Sequence, residues 1–252
     1  MYAVLQTSLE QPIDRETLEE AIMATEGLAK PDCARLQKES FGIVARGLSQ
    51  DDAIALQAAL QARNVPTEVL DESALPALVE PKRGHALKLA QAGVVVVDLY
   101  DRETLYEWEH IVFAAGGGLL HLRSIQDQKL KDVYVLGGYG GSSNIQSMIV
   151  TGHHYENLLE FRLELFLPVK SPRVQWVLTK DSMIIVNNEH LRLRDGQELA
   201  QLLSRLGSAL APEQVNTGIK KVMAGEEFVY PSIHAFEEEI IWSLYQLMRG
   251  ST

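Results

Sequence analysis
The sequence predicts an α+β fold, and three observations carry that expectation. Through residue 80, short apolar runs alternate with stretches whose apolar residues recur at helical spacing. From His85 the chain changes to short apolar runs separated by turn residues, the pattern of an antiparallel sheet. Past residue 195 it changes again, to leucine- and isoleucine-striped helices.

In the first stretch YAVLQTS reads as a strand, and Asp14 caps a helix carrying Leu18, Ala21 and Ile22 on one face, stopped near Gly27. PDCAR reads as a loop, and ARLQKES and FGIVARG as two strands, the second with Phe41, Ile43 and Val44 as its apolar centre. Ser49 opens a second helix with Asp51 and Asp52 in its first turn, where acids suit the positive end of the helix dipole. Ala53, Leu56 and Leu60 mark its buried face, Asn64 with Val65-Pro66 ends it, and TEVLDES closes the unit as a strand. Strand–helix–strand–strand–helix–strand is the ferredoxin-like βαββαβ plan, expected over residues 1–80.

ALPALVEPKRG, residues 74–84, places two prolines and a glycine where neither helix nor strand continues, which marks a boundary. A β-rich domain is expected over 81–210. HALKLA, GVVVVDLY, TLYEW, HIVFAA, GLLHLR, DVYVL, LLEFRLELFL, VQWVLT and MIIVNN read as separate strands, with Gly116-Gly117-Gly118 as a turn. In LLEFRLELFL, Phe161, Leu163 and Leu165 alternate with Arg162 and Glu164, as a strand buried on one face requires. Asp195 and Glu198 form a capping box for a helix striped by Leu199, Leu202, Leu203 and Leu206 and stopped at Gly207. A helical tail over 211–252 follows. Pro212 opens a helix ending at Gly225, and Ser232 opens SIHAFEEEIIWSLYQLMRG.

The chain carries 34 acidic and 23 basic residues, a formal net charge of −11, which makes nucleic acid and anionic membrane poor partners. The single cysteine, Cys33, excludes an internal disulfide and a multi-cysteine zinc site. MYAVLQTSLEQPIDRE lacks the basic and apolar regions of a signal peptide, and no window has the roughly 20 apolar residues of a membrane span. The expectation is a soluble, cytoplasmic chain.

Several short strands followed by one amphipathic helix is also the order of a pleckstrin-homology-like fold. GVVVVDLYDRETLYEWEHIVFAAGG resembles bacterial domains of that kind, in which a strand pair crosses a tight turn to a tryptophan and an acid. An apolar strand then follows; here the positions are Trp108, Glu109, Ile111 and Val112. The whole order, an α/β front, a β-rich middle and a helical tail, is similar to a bacterial protein family with no assigned activity. That resemblance implies an antiparallel PH-like barrel over residues 85–206, capped by an amphipathic helix, and transfers no catalytic residue. The long insert from Ser124 to Glu156 departs from the pattern.

The insert holds LGGYGGSSN, whose Gly137, Gly138, Gly140, Gly141, Ser142 and Ser143 form the candidate ligand site. Backbone N–H groups of such a loop can cradle phosphate. No lysine follows for a Walker loop, Ser143 stands where a dinucleotide fingerprint needs its last glycine, and the next residues are not helical in pattern. A slack connection is the competing reading. His153-His154 with Glu156 and Glu160 lacks metal-site spacing, so no metal and no cofactor are expected. Cys33 has no neighbouring base to activate it, and GxSxG is not formed at Ser142 or Ser143. On the last helix, Phe236, Ile240, Ile241, Trp242 and Tyr245 form a wide apolar band. It serves either packing within the chain or contact with a protein partner or second copy. The functional expectation is a non-catalytic binding, scaffolding or regulatory protein. The alternative is an enzyme or sensing subunit that holds a phosphorylated small molecule at residues 137–143.

Overall fold
A computed structural model describes residues 1–10, 13–25, 27–28, 30–84, 86–98, 100–135, 144–167, 173–178, 183–186, 189–192, 196–226 and 228–250. Among them, six α-helices accompany three sheets, none closed into a barrel, so the fold is mixed α+β. The chain divides into two compact units, Met1–Leu119 with Glu160–Thr252, and Leu120–Leu159.

The first unit begins with β1 (Tyr2–Gln6), α1 (Arg15–Met23), α2 (Lys30–Glu39), β2 (Ile43–Leu48), α3 (Gln50–Gln61) and β3 (Thr67–Asp71). Helices α1 and α3 start where the sequence says they should, whereas the helix expected to open at Pro212 opens only at Thr217, Pro212–Gln214 forming a single 3-10 turn. Asp14 accepts the Thr17 N–H at 2.9 Å and Ser49 Oγ accepts the Asp52 N–H at 3.1 Å. The expected second strand is a correction: ARLQKES, with the PDCAR loop before it, is helix α2. Its residues are mostly good helix formers, and Arg35 bridges Asp32 and Glu39 at helical spacing. Cys33 and Leu36, one turn apart, give it the single buried face it needs. The sheet therefore has three strands, ordered β2-β1-β3, with β1 antiparallel to both neighbours. Val4 of β1 faces a core shared with Leu18, Ile22, Leu36, Leu56 and Leu60, while Ala3 and Leu5 face the opposite side.

The β-rich part comprises β4 (Lys82–Arg83), β5 (Ala86–Leu89), β6 (Gly93–Val97), β7 (Glu103–Glu107), β8 (Phe113–Val135), β9 (Asn144–Phe166), β10 (Val174–Leu178), β11 (Met183–Val186) and β12 (Glu189–Arg192). Then come α4 (Gly196–Ala209), α5 (Thr217–Met223), β13 (Val229–Tyr230) and α6 (Ile233–Gly250). One sheet is ordered β12-β11-β5-β6-β7 and the other β13-β8-β9-β10-β4. Leu87, Val94 and Val96 of the first share a core with Leu163, Leu165, Val174 and Trp176 of the second, and Leu202, Leu203 and Leu206 of α4 join it.

Three further expectations change. HIVFAA, GLLHLR and DVYVL are not three strands: from Phe113 onward they form the single 23-residue strand β8, and β9 is equally long. Gly116 and Gly117 are therefore not a turn. A side chain at Gly117 would fall on the Tyr230 ring, and one at Gly116 would meet Ile219 at 3.1 Å and Phe161 at 3.2 Å. The glycines admit close packing inside a strand. Helix α4 likewise runs through Gly207, where any Cβ would strike Met223 of α5. Asp195 of the expected capping box lies outside the described residues. The second unit consists of residues 120–135 of β8 and 144–159 of β9.

Candidate binding cleft
The least ordinary local chemistry in the first unit surrounds the start of α5. Asn216 caps that helix, its Oδ1 accepting the Ile219 N–H at 3.1 Å and the Gly116 N–H at 2.9 Å. Its Nδ2 donates to Gly116 O at 3.1 Å and to the Tyr230 hydroxyl at 2.7 Å. Gly218 N–H donates to the same hydroxyl at 3.2 Å, and that hydroxyl donates in turn to the Glu239 carboxylate. The other carboxylate oxygen accepts the Thr217 N–H at 2.6 Å. Asn216, Tyr230 and Glu239 are all buried, so this network is fully enclosed yet has a partner for each oxygen.

Burial pushes the Glu239 carboxyl above its ordinary range, against the opposing bonds from Thr217 and Tyr230. Burial, and then the neighbouring Glu239 charge, pushes the Tyr230 phenol well above its own. The phenol therefore keeps its proton and serves as donor.

Glu239 is one of three consecutive acids on α6, each tied to a different part of the chain. Glu237 accepts from Arg173 at 3.2 Å, and Arg173 also holds the fully buried Glu164 through two bonds of 2.6 and 2.9 Å. Glu238 accepts from Arg46 of β2 at 2.9 Å and lies 3.4 Å from His234. Burial raises the Glu238 carboxyl, with Arg46 acting in the opposite direction. Phe236 and Ile240 are fully buried in a core with Phe113 and Leu119, and Ile241 packs on Ala3, Leu5 and Ile43. The Trp242 indole N–H donates to Gln6 O at 2.6 Å, and Trp242 and Tyr245 are half-buried. The apolar band of the last helix thus packs against this chain's own sheets.

A cleft of about 790 Å³ opens between the 8–10 loop and helices α5 and α6. Glu239, Trp242, Ser243, Gln246 and Gly250 of α6 line it, a spacing of one helix stripe. Leu9, Val215, Trp242 and Leu247 supply apolar wall, and Glu10, Glu213, Lys220 and Lys221 supply charge. A second cavity of about 530 Å³ shares Leu9, Glu10, Thr217 and Lys221 with it and continues to Phe41, Phe228 and Pro231. Gln246 lines this wall, while its Nε2 is enclosed away from the cleft without a hydrogen-bond partner among the described residues. Lys221 is tied to Glu226 at 2.6 Å. Lys220 is exposed, and its charge acts favourably on the Glu239 carboxylate.

Compared with known family models, curated proteins and solved structures, the chain matches none.

The glycine loop, with Gly137, Gly138, Gly140, Gly141, Ser142 and Ser143, lies outside the described residues, as do the side chains of His153, His154 and Glu156. Cys33 is buried in α2. Among the described residues, Glu107, Glu109 and His110 bring three ligand-type groups within 4.8 Å of one another, all exposed. Of the cleft residues, only Trp242 is a sequence candidate, as part of the apolar band on the last helix. The one other sequence signal is Glu237-Glu238-Glu239, three acids inside an otherwise apolar helix, where charge demands partners.

Proposed function
We propose that this chain is a non-catalytic binding protein, of regulatory or scaffolding kind, that takes a small organic ligand into the cleft between residues 8–10 and helices α5 and α6. The observation that carries this reading is the cleft's lining, in which Leu9, Val215, Trp242 and Leu247 form apolar wall beside Ser243, Lys220 and Lys221. Cavities of this volume with apolar walls and a few convergent polar groups are the usual form of a small-molecule site. The enclosed Tyr230–Glu239–Asn216 network serves as a rigid floor, because each of its oxygens already has a partner within the chain.

The β2-β1-β3 sheet with its helices supports a ferredoxin-like plan in which the second strand has become helix α2. Two facing sheets with α4 against their shared core support a PH-like second domain. Both folds commonly serve as platforms for binding, and the resemblance to bacterial domains suggests the bacterial cytoplasm as the setting.

The test is thermal unfolding against a panel of metabolites, comparing wild type, Leu9→Trp, and a deletion of Gly137–Ser143. Leu9 lines both cavities, so an indole there fills the cleft. A ligand at 100 times its dissociation constant adds about 2.7 kcal/mol. At about 2–4 °C per kcal/mol for a chain of this size, that is a rise of about 5–11 °C. A rise in wild type and the loop deletion but not in Leu9→Trp supports the cleft. A rise lost only with the loop deletion moves the site to the glycine loop and a phosphorylated ligand. No rise with any compound overturns the reading.

A further inference from the structure
We propose that β9 carries a self-association edge: between Asn144 and Leu159 it pairs, antiparallel and about a two-fold axis, with the same segment of a second copy of this chain. The second unit is two strands alone. β13 meets β8 only at Gly118 and Leu119, and β10 meets β9 only from Phe161 to Leu165. Among the described residues, then, no third strand reaches 120–135 or 144–159. An isolated strand pair is marginally stable in water, and each free edge is a row of N–H and C=O groups open to another chain.

The two edges differ in what guards them. Residues 120–135 of β8 carry Arg123, Asp127, Lys129, Lys131 and Asp132, the kind of charge by which natural sheets keep an edge from pairing. Residues 144–155 of β9 carry no Asp, Glu, Lys or Arg, and Ile145, Ile149, Val150 and Thr151 are strong strand formers. The unguarded edge is therefore that of β9. Charge then selects the occupant. The whole chain stands at −11, yet residues 120–135 and 144–159 together hold three basic and three acidic residues. Two copies repel over most of their surface but not here, whereas a basic partner is drawn to the acidic remainder of the chain instead. Pairing β9 with its own copy gives the order β8-β9-β9-β8, with a charged strand at each end, so the assembly closes at two copies.

Sedimentation velocity of the full chain over about 1–100 μM, where contacts of modest strength dissociate, should show a monomer–dimer equilibrium. Ile149→Lys/Thr151→Lys sets lysines against lysines and should raise the dimer dissociation constant at least about tenfold, while Gln126→Lys/Gln128→Lys on β8 should leave it within about twofold. A single cysteine walked from Ser147 to His153 reads the register without adding charge, and it keeps the test intact if the lysine variant misfolds. Cys33 is buried and contributes no cross-link. A two-fold antiparallel pairing sets one residue opposite its own copy at about 5 Å, and its neighbours about 8 Å from theirs, beyond disulfide reach. One position should therefore cross-link under mild oxidation, and those on either side should not. A monomer at every concentration overturns the proposal. So does a dimer indifferent to Ile149→Lys/Thr151→Lys, a dimer lost with Gln126→Lys/Gln128→Lys, or cross-linking that is equal at every position.

Discussion
Arg173→Met should be among the most damaging single changes in the β-rich part. Glu164 is fully buried on β9, and three of its contacts are donors: Arg173 Nε at 2.6 Å, Arg173 Nη2 at 2.9 Å and Gln175 Nε2 at 2.7 Å. Methionine fills much of the arginine's volume but supplies no proton, so two of those three bonds vanish and a carboxylate is left in a dry interior. Removing one partner of a buried pair costs about 3–5 kcal/mol, because the remaining charge keeps only Gln175 and the neighbouring Arg162 to offset its lost hydration. For a chain of this size that lowers the melting temperature by about 6–20 °C. Glu237 loses its Arg173 contact too, but it is partly solvated and adds little. The double variant Glu164→Gln/Arg173→Met removes the charge and keeps an acceptor for Gln175. It should therefore recover at least half of the loss. Differential scanning calorimetry of wild type, single and double variants decides it. A single variant within about 3 °C of wild type, or a double variant no more stable than the single, would refute the reasoning.

Two further outcomes follow from α6. Glu239 has its carboxyl raised by burial, so the folded state holds its proton more tightly than the unfolded chain does. The stability from that group is fully present below the ordinary carboxyl value and fades as pH rises through the raised one. Urea unfolding from pH 4 to 8 should show the advantage of wild type over Glu239→Gln shrinking as pH rises. A difference that stays constant or grows would contradict the assignment. Gly42 has φ of +82°, and a Cβ there would lie 2.6 Å from Trp242 Cγ. Gly42→Ala should cost at least about 2 kcal/mol, strain and clash together, but only about 1 kcal/mol in a Trp242→Ala background, where strain alone remains. Equal costs in the two backgrounds would remove the clash from the account.

What could be read from the sequence was what depends on neighbours along the chain. The Asp14 and Ser49 caps, the Leu56 and Leu60 stripe, the leucine face of α4 and the start of α6 at Ser232 each follow from residues within one or two turns. What failed depended on distant partners. ARLQKES looked like a strand because a βαββαβ plan wanted one there, whereas Arg35 with Asp32 and Glu39 stabilises the helix locally. Gly116 to Gly118 looked like a turn because the rings that need their bare backbone come from Phe161 and Tyr230, the second more than a hundred residues on. Glu164 was assigned to a wet face by alternation, yet Arg173, just before the next strand, and Gln175 on it bury it. The cleft was invisible for the same reason: its wall joins residues 8–10 to residues 213–250.

The three acids that give no motif explain why the cleft has a fixed shape. Consecutive helical residues point about 100° apart, so Glu237, Glu238 and Glu239 sweep some 200° of the α6 surface. Each is met by a different element: Arg173 preceding β10, Arg46 on β2, and Thr217 with Tyr230 around α5 and β13. Turning α6 by one residue would break all three sets at once and bury unpaired carboxylates, a cost of several kcal/mol per ion. No such rotation is therefore accessible to the folded chain. That fixed rotation is what aims Ser243 and Gln246, which lie four and seven residues beyond Glu239, along the cleft wall. The buried charges contribute little as attractions, since hydrophobic residues of equal volume would hold the elements together as well. Their effect is directional: they select one register of α6, and with it the stripe of residues that lines the cleft.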